Sequence, residues 1–159
     1  MVDKDNNMEK GYIELRFGPR WKYIACARSF IQNFLAISIV DQAKADKIAM
    51  AASELLENAV KYANGEDTHI SVNVTPSIEK ITVEVINQAS DDTIADLKQI
   101  YNKVTKGNAL DAYVSQMKEA ALRSDGKSQL GLSRIRYETG GQLSLLIDGN
   151  KVKVVIDIG

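Results

Sequence analysis

Asp41 to Gly65 reads DQAKADKIAMAASELLENAVKYANG, and how this stretch is read decides the fold. Ile48, Ala52, Leu55, Ala59 and Ala63 recur at steps of three and four, so they share one apolar stripe of a helix. Glu54, Asn58 and Lys61 recur at the same steps and fall on a second stripe, roughly 140° away at about 100° per residue. Residues one turn apart can aim into one small volume. A carboxylate, a carboxamide oxygen and an ammonium aligned in this way suit a magnesium-bound phosphate ester. The same stripe would also serve as an ordinary solvated face, and spacing does not separate the two. Asp41 is placed to cap the helix with its carboxylate, and Asn64-Gly65 to stop it in the left-handed conformation.

Outside this helix the composition is that of a soluble globular chain. It has 159 residues, 45% hydrophobic and 26% charged, enough for one domain with a real core. Twenty basic and 21 acidic residues leave a net charge of −1, which gives no general pull toward nucleic acid or anionic membrane. Cys26 is the only cysteine, so no internal disulfide forms and a reducing, cytoplasmic compartment is expected. Set among Ile24, Ala25 and Ala27, its thiol is expected to be buried. His69 is the only histidine and reads as part of a strand, which leaves no histidine-rich metal site and no zinc site. No apolar run suggests a membrane span, and MVDKDNNMEKG lacks the apolar centre of a signal peptide.

Residues 1–10 read as a flexible polar leader and 11–159 as a single domain. Tyr12–Phe17 alternates as a strand, Gly18-Pro19 breaks it, and Pro19 suits the first turn of a helix carrying Ile24, Ala27, Ile31, Phe34 and Leu35. After the central helix come strands near His69–Val74 and Ile81–Ile86, with Pro76-Ser77 at the turn. Residues 90–128 then form a helical segment. Ile94, Leu97, Tyr101 and Val104 mark one helix ending at Gly107, and Leu110, Tyr113, Val114, Met117 and Ala121 a second after Asn108. Their apolar faces await cover from the body of the domain or from a partner. Ser124–Ser128 reads as a flexible loop, Leu130–Glu138 as a short helix, and Gln142–Ile147 with Lys151–Ile156 as a hairpin turning at Asp148-Gly149. The order β, α, α, β, β, α, α, α, β, β implies an α+β two-layer sandwich: about five mostly antiparallel strands covered on one side by helices, with a helical lid.

That order, together with Ser53-Glu54-Leu55-Leu56-Glu57-Asn58-Ala59-Val60-Lys61-Tyr62, resembles the GHKL ATPases, whose members include gyrase, chaperone and histidine-kinase nucleotide domains. The run resembles the family's N box, and Leu130-Gly131-Leu132-Ser133-Arg134-Ile135 resembles the end of its second glycine box. Small anti-sigma-factor serine/threonine kinases, single domains of this size, are the most similar branch. The resemblance implies ATP and Mg2+ as cofactors, Asn58 as magnesium ligand and Glu54 as general base toward a hydroxyl. It further implies Lys61, Asn87, Gly131 and Leu132 as nucleotide contacts, with residues 90–128 in the lid position. A small STAS-like antagonist or a sigma-factor-like protein would be the partner, and an open first-strand edge or apolar lid would suit a homodimer.

The chain also departs from the family pattern. Where the first glycine box has Asp-x-Gly-x-Gly, this chain has Asn87-Gln88-Ala89-Ser90-Asp91. Asn87 keeps an acceptor oxygen for an adenine amino group but lacks the charge. Ala89 removes backbone freedom, Asp91 adds a negative charge near a polyanion, and Gln129 replaces a customary glycine. Two functions follow. One is a kinase that transfers the ATP γ-phosphate to a small antagonist in a partner switch. The other is a GHKL-like module that works by protein contact, with nucleotide binding weakened or lost.

Overall fold

The computed structural model describes residues 10–39, 41–122 and 130–159. The leader, the loop at Ser124–Ser128 and Gln129 lie outside them. The elements are β1 Gly11–Phe17, α1 Trp21–Ser38, α2 Gln42–Lys61, β2 Thr68–Thr75, β3 Lys80–Gln88, α3 Asp91–Thr105, α4 Ala109–Leu122, α5 Leu130–Thr139, β4 Gln142–Asp148 and β5 Lys151–Ile158. Their order is the expected one. The five strands form one antiparallel sheet in the order β1-β2-β3-β5-β4.

Alternation along the strands places the core. Ile70, Val72 and Val74 of β2, Ile81, Val83 and Val85 of β3, and Val152, Ile156 and Ile158 of β5 are buried beneath the helices. The intervening residues face outward, where Lys153 pairs with Glu84 and Thr82 with Asp157. Over the inner face, α1 contributes Ile24, Ala27, Ile31 and Leu35, while α2 buries Ala45, Ile48, Ala51, Ala52, Leu55, Leu56 and Ala59. The buried band on α2 is wider than the expected stripe, because α2 packs against α1, the sheet and α5 at once. Its run of alanines lets these neighbours approach closely. Asp41 caps α2 as expected, its Oδ1 accepting the Lys44 amide at 3.2 Å.

Several expectations are corrected. α2 stops at Lys61, and neither Asn64 nor Gly65 has a positive φ. The Asn64 amide donates instead to the Gln88 carbonyl at 2.7 Å, and a Cβ on Gly65 would stand 2.7 Å from Gln88 Oε1, so this glycine serves close approach rather than a left-handed turn. Pro19 lies two residues before α1, whose N-cap is Arg20. Cys26 is exposed, because it falls on the opposite side of α1 from Ile24 and Ala27. The hairpin loop is Gly149-Asn150, one residue later than expected, with Gly149 at φ +61°. The two helices expected as a lid, α3 and α4, differ from each other. α3 buries Ile94, Leu97, Tyr101 and Val104. α4 buries only Ala112 and Gln116 and leaves Leu110, Met117 and Leu122 exposed, so its apolar face is not covered by the body of the domain.

Candidate nucleotide site

The polar stripe of α2 divides between two cavities. Glu54 opens into a groove of about 440 Å³ between α1 and α2, lined also by Arg28, Gln32, Asp46, Met50, Ser53 and Glu57. Arg28 braces this groove: its Nε donates to Ser53 Oγ, and its Nη2 donates to Glu57 Oε1 at 3.0 Å. Glu54 itself is half-buried. Burial, and secondly the Glu57 charge, hold its carboxyl above the ordinary value of 4.5, while Arg134 and Arg28 pull it down. Asn58, one turn further on, looks instead into a cleft between α2, β3, β5 and α3. Lys61 is exposed, and its Nζ lies 5.2 Å from the centre of the Tyr62 ring.

α5 brings the second motif to Glu54. A Cβ on Gly131 would lie 2.1 Å from Glu54 Oε2, so the glycine leaves room for the carboxylate in its present position where α5 crosses α2. Leu132 is buried in the core, which leaves its backbone as the part able to meet a ligand. Arg134 follows on the exposed side and donates from Nε to Glu138 Oε1 at 2.9 Å. Asn87 lines the same cleft as Asn58, and its Nδ2 donates to the Ala59 carbonyl at 2.8 Å. The Ala89 amide donates to the Asn150 carbonyl at 3.0 Å, tying the altered glycine-box stretch to the hairpin loop. Asp91 belongs to the first turn of α3, where its charge complements the helix dipole.

The cleft itself is almost full. Leu97 and Tyr101 of α3 reach into it beside Tyr62, Leu55 and Val85, leaving about 20 Å³. Tyr101 is 4% exposed, and burial, with a smaller effect of Tyr62, pushes its hydroxyl well above the usual range. Periodicity puts Leu97 and Tyr101 on the apolar face of α3 but does not say which wall that face presses on. Arg28, Ser53 and Glu57 also went unassigned, since their meeting depends on how α1 crosses α2.

The sequence profile of the histidine kinase-like ATPase domain matches residues 17–135, a span holding α2, β3, α3, α4 and Gly131. The chain belongs to the histidine kinase-like ATPase domain family. Among solved structures, this ATPase-like domain is similar to a chain of the SiaB–SiaC complex from Pseudomonas aeruginosa, with 15% identity, a TM-score of 0.69, and 92% of this chain and 88% of that one covered. It is also similar to the RsbU and RsbW domains of Rv1364c from Mycobacterium tuberculosis, with 12% identity and a TM-score of 0.60. That match covers 93% of this chain and 32% of the larger protein. At these identities the likeness is one of fold. No curated protein sequence matches the domain. Among the described residues, no helix is long and apolar enough to cross a membrane.

The family is one of ATP-binding domains, and the donors in the cleft suit magnesium-ATP in kind: Asn58 offers a hard oxygen ligand, and Asn87 an amide beside it. In volume they do not. Ligand pockets are typically about 300–1,000 Å³, and the cleft holds a small fraction of that while Leu97 and Tyr101 occupy it.

Proposed function

We propose that this domain is a regulatory serine/threonine protein kinase of the anti-sigma-factor type, acting on a small STAS-like antagonist protein in a partner switch. The observation that carries this reading is Glu54: a half-buried carboxyl with raised proton affinity, set against Gly131 and open to a groove from outside. A carboxyl tuned upward is a better proton acceptor at neutral pH, as a general base requires. A hydroxyl-bearing segment entering between α1 and α2 meets Glu54 directly, and Gln32, Asp46 and Arg28 line its way. Bound magnesium-ATP would supply the phosphoryl group. With α3 moved out of the cleft, Asn58 would hold the metal, Asn87 would meet the nucleobase, and Lys61, now against the Tyr62 ring, would supply positive charge. The fold shared with a chain of the SiaB–SiaC complex supports a partner of protein kind.

The test is phosphate transfer from magnesium-ATP to co-expressed antagonist candidates, followed by mass spectrometry of serine and threonine sites. Transfer abolished by Glu54→Gln supports the kinase. Transfer that survives this substitution removes Glu54 from the chemistry. One observation favours the alternative, a module working by protein contact alone: the filled cleft, with about 20 Å³ left. In that reading a partner complex forms equally well with Glu54→Ala and Asn58→Ala, and no phosphorylated product appears.

A further inference from the structure

We infer that α3 is a built-in occupant of the cleft, latched in place by Arg136, so that nucleotide and α3 compete for one space. The inference rests on reading the cleft as the nucleotide site.

Three observations meet here. First, Ile94, Leu97, Tyr101 and Val104 form one stripe at steps of three and four, and all four are buried. The two middle residues fill the cleft that Asn58 and Asn87 line. Secondly, α3 carries its own end caps. Ser90 Oγ accepts the Thr93 amide, Asp91 and Asp92 stand in its first turn, and Lys103 in its last. These caps and end charges stabilise the helix from within, so it does not depend on the cleft alone to stay folded. Thirdly, its C-terminal end is held from another element. Arg136 of α5 donates from Nη1 to the Val104 carbonyl at 2.8 Å and from Nη2 to the Gly107 carbonyl at 2.9 Å. The last carbonyls of a helix have no partner within it, and a guanidinium satisfies them while countering the negative end of the dipole. Lys103 adds a contact to Glu119 of α4. Gly107, two residues past the end of α3, takes the left-handed φ of +69° at which the chain turns toward α4.

A ligand that binds only the open state has its affinity reduced by the fraction of molecules that are open. Loosening the latch raises that fraction without touching any residue of the cleft. Charge-assisted hydrogen bonds of this kind make about a tenfold change in that equilibrium a modest expectation.

The experiment measures magnesium-ATP binding by calorimetry, and amide exchange of residues 91–105, in the wild-type chain, Arg136→Ala and Tyr101→Ala. Arg136→Ala should bind about tenfold more tightly than wild type and exchange faster along α3. Nucleotide should accelerate exchange of α3 in the wild-type chain, the reverse of ordinary ligand protection. Tyr101→Ala should open the cleft directly, and Arg136→Ala keeps the test intact if that variant fails to fold. A folded Arg136→Ala that binds no better than wild type overturns the inference, as does nucleotide binding that leaves α3 exchange unchanged or slows it. Binding without phosphate transfer would leave the competition standing and remove only the kinase reading.

Discussion

At the scale of single residues, Glu54 and Gly131 define one another. Glu54 titrates above its ordinary 4.5, chiefly through burial. The folded chain therefore holds its proton more tightly than the unfolded chain, and the stability owed to this group falls as pH rises through the window above 4.5. Glu54→Gln should raise the melting temperature near neutral pH and leave it unchanged below about pH 4, which thermal melts across that range would check. A melting gain that persists in acid would mean the carboxyl is not the cause. Gly131→Ala drives a methyl into the Glu54 carboxylate, the far end of a flexible side chain. The carboxylate should yield rather than the fold. Net stability should change by less than about 1 kcal/mol, since alanine also favours the helix, and the Glu54 titration followed by NMR should move. The sequence showed Glu54 and Gly131 as two separate motif residues. Their contact depends on the crossing of α2 and α5, which no spacing encodes.

Among the elements, legibility tracks burial. α2 was readable because a helix packed on three neighbours is marked by its alanines, and the Asp41 cap added a sharp start. α3 and α4 were readable as helices, but their environments were not, because both carry apolar stripes while only that of α3 is covered. The stop of α2 was misplaced for a related reason: Gly65 answers to Gln88, far along the chain. Among the described residues, α4 buries Ala112 and Gln116 and is held by the stacked Tyr113–Tyr137 pair, the Lys103–Glu119 contact and the Asn108 cap. Its amides should exchange well before those of α2, since few buried apolar contacts resist local opening. Equal protection in both helices would show that something further covers α4. In α3, Ser90→Ala removes the N-cap and should cost about 1 kcal/mol, measurable by urea denaturation.

For the molecule as a whole, the sheet and the helices α1, α2, α3 and α5 share one buried core, and α4 is an addition to it. Leu35 is fully buried where α1 meets the core. Leu35→Ala should cost about 2–5 kcal/mol, read as a lower urea midpoint, with an unchanged slope if the chain unfolds as one unit. The alternating strands made the sheet legible in outline, yet alternation says nothing of strand order. That β5 would lie between β3 and β4 follows only from the pairing of Ile81 with Ile158 and of Leu143 with Ile156. The arrangement bears on the history of each molecule as it emerges from the ribosome. β3 is left as a bare edge until β5 arrives, so the early strands wait with open backbone groups while the lid helices are made. Pairings so distant in sequence form slowly. Refolding watched by pulsed exchange should therefore protect the β3 amides that face β5 late, together with β5 and after the β3 amides that face β2.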